Sequence, residues 1–212
     1  MATITETREV RNFDSIEIQG RGALILEQGD AEAVVIEADE AVMPHVKAEV
    51  EDSRLVLGLE HLWDHLLHPA ASMSFRVSAV TLRRVAISGS GSVQAGTLHT
   101  EHLSLGISGS GEMDFPQVDA KSVALEISGN GKMSVAGMAE QSVVRISGSG
   151  SVQAGKLATK SADVRISGSG TLSVNAADTL DLRISGSGSV VYEGQPLVSQ
   201  HVSGSGSVMH AA

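Results

Sequence analysis

The sequence predicts an all-β fold, a parallel β-helix (β-solenoid) with coils of about 18–20 residues, and three observations carry that prediction. The first is an internal repeat. ISGSGSV begins at Ile87, ISGSGEM at Ile107, ISGNGKM at Ile127, ISGSGSV at Ile146, ISGSGTL at Ile166, ISGSGSV at Ile184 and VSGSGSV at Val202, at spacings of 20, 20, 19, 20, 18 and 18 residues. A degenerate copy, IQGRGAL, starts at Ile18. The second is alternation. Leu105, Leu125, Val144, Val164 and Leu182 stand two residues before the Ile, and Val93, Met113, Met133, Val152, Leu172 and Val190 six after it, with polar neighbours between. That is the period of a strand with one buried face. The third is composition: 23 Gly, 4 Pro and only 3 Phe, 1 Trp and 1 Tyr in 212 residues, with 42% hydrophobic residues that are mostly aliphatic. Such a chain fills a narrow core, and units this small bury an apolar face only by stacking.

The elements follow in order. Residues 1–9 are expected to be an N-terminal tail, and 10–208 a single β-helix domain. Within it, 10–84 holds irregular coils: VVIEAD, RLVLGL and MSFRVSA look like strands. DEAVMPHV looks like a short helical turn interrupted at Pro44. EHLWDHLLHPAA, from Glu60 to Ala71, looks like an amphipathic turn or loop inserted between coils. The 69 residues from Ile18 to Ile87 would make three to four coils if the solenoid continues without a break. From 85 to 208 each coil reads as strand, glycine corner, strand and a looser return carrying Leu98, Val118, Met138 or Leu157. The corner positions are Gly89, Gly91, Gly109, Gly111, Gly129, Gly131, Gly148, Gly150, Gly168, Gly170, Gly186, Gly188, Gly204 and Gly206. Each answers either to a positive φ or to an interior too crowded for a β-carbon. Tyr192 to Pro196 should form an irregular turn near the last coil, so that this turn or a second subunit closes that end. Residues 209–212 are a short tail.

Charge and targeting signals narrow the partners. A formal net charge of −10 argues against nucleic acid and anionic membrane surfaces as partners, since both need basic patches. No apolar run is long enough to span a membrane, and the N-terminal residues show no signal-peptide pattern, so the chain as written reads as cytoplasmic. With 0 Cys there is no disulfide to report a redox compartment.

Several chemical readings compete for the repeated motif. A dinucleotide loop needs GxGxxG between a strand and a helix, whereas this motif recurs with strands on both sides. Calcium-binding nonapeptides need an Asp within each turn, and ISGSG has none. The Ser ladder (Ser88, Ser108, Ser128, Ser147, Ser167, Ser185 and Ser203, beside Ser90, Ser110, Ser149, Ser169, Ser187 and Ser205, with Asn130 breaking the second row) either binds glycans or ordered water or satisfies corner backbone groups. Ice binding would favour Thr in a flat array.

Metal and catalytic candidates are sparser. His61, His65 and His68, beside Glu60 and Asp64, are weak metal candidates: on a helix His61 and His65 stand one turn apart, a usable ligand spacing, but the pattern fixes no third ligand. His99, His102 and His201 read as surface residues. The scattered charges Glu112, Asp114, Glu126, Arg145, Arg165, Asp181 and Arg183 do not form the clustered carboxylates of a glycosidase. Arg145, Arg165 and Arg183 precede the Ile of their coils and should stack in one outer column with Glu126. No catalytic residue and no cofactor site is assigned.

The opening VRNFDSIEIQGRGALILEQGDAEAVVIEADEAVMPHV, the repeated ISGSG and the closing VVYEGQPLVSQHVSGSGSV resemble the bacterial putative auto-transporter adhesin, head GIN domain family, over about Val10 to Val208. Tyr192, Gly194, Pro196 and Ser203 to Gly206 carry the most specific part. The resemblance implies a right-handed parallel β-helix of a kind often exported, with no established enzymatic role. The expected function is therefore a non-enzymatic structural or interaction scaffold, adhesin-like, whose Ser/Gly-rich face meets a glycan or another cell-surface component. The alternatives are a polysaccharide-active β-helix enzyme and a cytoplasmic solenoid that self-assembles through its ends or edges.

Overall fold

The computed structural model describes residues 2–60 and 73–211. Its strands in chain order are β1 (Thr3–Arg8), β2 (Ser15–Gly20), β3 (Ala23–Gln28), β4 (Ala33–Asp39), β5 (Val46–Glu51), β6 (Arg54–Leu59), β7 (Met73–Ala79), β8 (Arg84–Gly89) and β9 (Ser92–Ala95). They continue with β10 (Thr97–Gly109), β11 (Glu112–Gly129), β12 (Lys132–Gly148), β13 (Ser151–Gly168), β14 (Thr171–Gly186), β15 (Ser189–Glu193), β16 (Leu197–Gly204) and β17 (Ser207–His210). Parallel pairing runs in register from coil to coil: Ile87, Ile107, Ile127, Ile146, Ile166, Ile184 and Val202 are successive partners. Each coil presents a first face ending in ISG, a second face after the corner and a return that leads into the next first face.

Alternation sets what each face buries. The six Ile residues from Ile87 to Ile184 are at most 2% exposed, and the Ser that follows each of them is exposed. The interior is an aliphatic column, with Phe13, Phe75 and Phe115 as its fully buried rings. One polar exception is Ser142, 3% exposed between Val123 and Ala162 in register, whose hydroxyl has no hydrogen-bond partner.

The two glycines of each corner answer to different constraints. Gly148 has φ +113, and a β-carbon there would stand 2.6 Å from the Gly129 carbonyl oxygen of the preceding coil. Gly150 has no left-handed φ, but its β-carbon would stand 2.5 Å from Ile127 Cγ2, inside the core. Backbone angle and close approach together exclude a side chain at the first position; interior crowding alone excludes one at the second.

Coils of unequal length stay aligned because the returns absorb the difference. Register shifts fall between Phe115 and Val118, Ser134 and Gly137, Ala154 and Ala158, and Thr159 and Ser161, and none falls in ISGSG. Of the apolar residues in the returns, Leu98, Val118 and Leu157 turn inward, but in the coil between Ile127 and Ile146 Gly137 pairs with Val118 and Leu157, which leaves Met138 59% exposed.

The N-terminal third departs from the expected run of three to four coils. β2 and β3 pair on one side with β8 and β9, placing Ile18 beside Ile87, and on the other side with β6 and β7. Chain order and stacking order therefore differ. Beyond that outer coil the pairing turns antiparallel, β4 on β7 and β5 on β6, and the stack of parallel coils stops. Thr3–Arg8, expected as tail, is a strand antiparallel to β4, and Arg8 Nη1 donates to Val46 O at 2.7 Å. Pro44 lies in the first turn of a 3-10 helix, Met43–His45, where its missing N–H costs nothing. The expected insertion at 60–71 lies outside the described residues apart from Glu60.

At the other end, the bend from Gly194 to Pro196 joins β15 to β16. His210 holds it: Nε2 is 2.7 Å from Gly194 O and the ring centroid lies 4.9 Å from that of Tyr192. The bend does not by itself cover this end, since Val202 is 37% and Leu197 79% exposed.

The burial pattern makes a pair of mutants decisive. Ile146→Ala should lower stability by about 2–5 kcal/mol, and Ser147→Ala by no more than about 0.5 kcal/mol. Chemical denaturation measures both; equal losses would overturn the assigned facing.

Candidate functional site: the outer side of the first face

Once the Ile column is fixed inward, every second residue of the first face is fixed outward. Three outer columns result, of which the one carrying Asp163 and Asp181 lies farthest from the corner. One is the Ser column from Ser88 to Ser203, all of it exposed. The corner backbone does not use these hydroxyls: Ser149 N–H donates to Gly129 O at 3.0 Å and Ser169 N–H to Gly148 O at 2.8 Å, and the other corners repeat the pattern. Among the described residues, no hydrogen bond is made by any hydroxyl of that column. Parallel pairing sets the hydroxyls about 4.8 Å apart along the axis. The corner residues from Ser90 to Ser205, Asn130 included, form a second exposed row beside it.

The middle column runs Glu17, Ala86, Gly106, Glu126, Arg145, Arg165, Arg183, His201. Its arginines stack as expected, and each is held by a carboxylate: Arg145 by Glu126 at 3.0 Å, Arg165 by Asp163 at 3.2 Å and Arg183 by Asp181 at 3.5 Å. These carboxylates offset repulsion between stacked guanidiniums, and as exposed pairs they add little stability. The guanidiniums and the Ser column border a shallow groove of about 520 Å³ from Arg145 to Ser203. A second groove, about 420 Å³, lies over Ala86 and Gly106 between Glu17 and Glu126. Arg54 and Arg84 flank it. The sequence pattern concealed this second groove because Arg54 reaches Glu17 only through the outer coil that stacks out of chain order.

The remaining candidates are dispersed. Glu112 and Asp114 lie on the second face, beside Lys132 and Ser92. His99 Nδ1 is 3.5 Å from Asp119, His102 Nδ1 is 2.7 Å from Ser122 Oγ, and His201 continues the arginine column. His61, His65 and His68 lie outside the described residues. Among the described residues no three acidic or histidine side chains are grouped so as to hold a metal ion.

At the corner where the return meets the first face, charges alternate along the axis. Glu101 pairs with Lys121 and Glu140 with Lys160, the latter at 3.4 Å. The Lys121 ammonium, by hydrogen bond and charge, holds the Glu101 carboxyl below the usual carboxylate range, and Glu101 in turn raises Lys121.

A family model described as "Putative auto-transporter adhesin, head GIN domain" matches residues 12–196. Similar solved structures include one described as a putative adhesin from Bacteroides fragilis, 21% identical, TM-score 0.90, covering 99% of this chain and 97% of that one. Another, described as a putative lipid binding protein from Parabacteroides distasonis, is 21% identical with a TM-score of 0.80 over 99% of this chain and 97% of that one. A third, described as a putative adhesin from Parabacteroides merdae, is 22% identical with a TM-score of 0.79 over 99% and 96%. At these identities the likeness shows the shared fold. No curated protein matches the chain.

The corner ladder has a pH signature. A carboxylate with a depressed folded-state pKa adds stability above its unfolded pKa and loses it as pH falls through the folded one. In an NMR titration Glu101 should therefore protonate at lower pH than an unpaired Glu, and Lys121→Met should return it to the ordinary range. An unshifted Glu101 in the native protein would contradict the pairing.

Proposed function

We propose that this chain, which belongs to the family described as "Putative auto-transporter adhesin, head GIN domain", is a non-enzymatic interaction scaffold of the cell surface that binds an extended glycan along its first face. The observation that carries the reading is the Ser column. Seven exposed hydroxyls, Ser88 to Ser203, stand in strict register, and none of them makes a hydrogen bond among the described residues. A hydroxyl both donates and accepts, so it suits a polyol whose own groups do the same. One pyranose unit of an extended glycan spans roughly one strand spacing of about 4.8 Å, which lets successive sugars meet successive coils.

The neighbouring column supports the same ligand. Asp163, Arg165 and Ser167 on one coil, and Asp181, Arg183 and Ser185 on the next, repeat an acceptor, a forked donor and a hydroxyl across the strand. A repeating row of this kind suits a repeating polymer. The family points to surface interaction, and the two carboxylates that border one groove, Glu17 and Glu126, are each held in an ion pair with an arginine.

A glycan array followed by calorimetry tests the proposal. Three hydroxyls at about 0.5–1.5 kcal/mol each predict that Ser147→Ala/Ser167→Ala/Ser185→Ala weakens glycan binding at least about tenfold, with the thermal midpoint unchanged. An array without any retained glycan, or a triple mutant that binds like the wild type, would refute it.

A further inference from the structure

The groove over Ala86 and Gly106 differs from the rest of the face in both shape and charge. Its floor is not a requirement of the fold. Gly106 is outside the left-handed region, and a β-carbon there would meet nothing closer than Arg84 Nη2 at 3.8 Å, an ordinary contact. The same column accepts Glu126 and three arginines a few coils on. The corner glycines are forced by backbone and core, whereas Gly106 leaves a notch that stacking does not demand.

Charge is unevenly settled within that notch. At one end Arg54 pairs with Glu17 at 3.2 Å, and at the other Arg145 pairs with Glu126 at 3.0 Å. Both carboxylates are thereby neutralised. Arg84 leans from its own strand toward Gly106 and has one long hydrogen bond, 3.5 Å to Ser104 Oγ, and no ion pair among the described residues. Three arginines against two glutamates leave the groove at +1, on a chain whose net charge is −10. The unspent charge is a planar guanidinium, whose paired N–H groups match the two oxygens of a carboxylate.

We infer that this groove is a subsite for a carboxylate-bearing sugar unit, a uronate, with Arg84 holding the carboxylate and the Ala86–Gly106 floor accommodating the ring. The inference rests on the glycan reading above and names the unit bound at one place along the face. Ser88 and Ser108 border the same groove and lie within hydroxyl reach of a ring seated there. The remainder of the face, where each arginine is already paired, recognises hydroxyls without selecting for charge.

Calorimetry with tetragalacturonate and with its fully methyl-esterified form, the same polymer without the charge, tests this. The wild type should bind the acid at least about tenfold more tightly than the ester, the effect expected of one charge-assisted fork. Arg84→Gln should bring the acid affinity down to that of the ester with the thermal midpoint unchanged, and Arg84→Lys should keep part of the preference. Gly106→Leu, which fills the notch without strain on the backbone, should weaken the acid. Equal affinity for acid and ester in the wild type, or a preference that survives Arg84→Gln, overturns the subsite and leaves the glycan reading standing. Binding of neither form overturns the subsite, and the array with the Ser mutants then decides the glycan reading separately.

Discussion

Successive corners approach so closely that no side chain fits between them, and the rest of the molecule follows from this contact. The Gly129 carbonyl accepts the Ser149 N–H and stands where a β-carbon of Gly148 would be. The same turn brings Gly150 onto the Ile127 side chain. Corner amides are thereby satisfied by the neighbouring backbone, as buried or crowded backbone groups must be. Because the corners cannot slip past each other, Ile lies on Ile, and variation in coil length is displaced into the returns, where Gly137 takes an inward position and Met138 is turned out.

This division of labour leaves one side of the scaffold free to vary, which is what the proposed glycan surface requires. Inward positions and corner glycines are committed to the stack. Outward positions of the first face are not, and there the residue type changes from coil to coil: small at Ala86 and Gly106, acidic at Glu126, basic from Arg145 to Arg183. Hydroxyls freed from backbone duty, together with a graded charge column, form an extended surface along which the proposed recognition would be distributed. The antiparallel strands at the N-terminal side end the stack of parallel coils with charged residues such as Lys47, Glu49 and Glu51 in β5, which guards a sheet edge against further pairing.

Most of the fold was legible because a repeat states its own register. The spacing of ISGSG located the Ile and Ser columns and put Arg145, Arg165 and Arg183 in line before any coordinate was known. Three features were hidden for physical reasons. The separate needs of Gly148 and Gly150 depend on interatomic distances, to which composition is blind. The order of β6, β2 and β8 depends on antiparallel strands that interrupt the repeat, so residue spacing there does not measure stacking. The groove at Arg84 depends on that same order, since its end at Arg54 and Glu17 joins residues far apart in sequence. Arg84, at the end of the irregular segment, carried no signal that distinguished it from a solvated arginine.

Chemical denaturation of three single glycine mutants tests the corner constraint most directly. Gly148→Ala and Gly150→Ala should each lose about 1–3 kcal/mol, one through φ and the other through crowding. Gly106→Ala, on the same sheet but free of both constraints, should be neutral or gain up to about 1 kcal/mol from reduced unfolded-state entropy. Equal effects at all three positions, or a larger loss at Gly106 than at the corners, would contradict the claim that close approach of the corners sets the register of the solenoid.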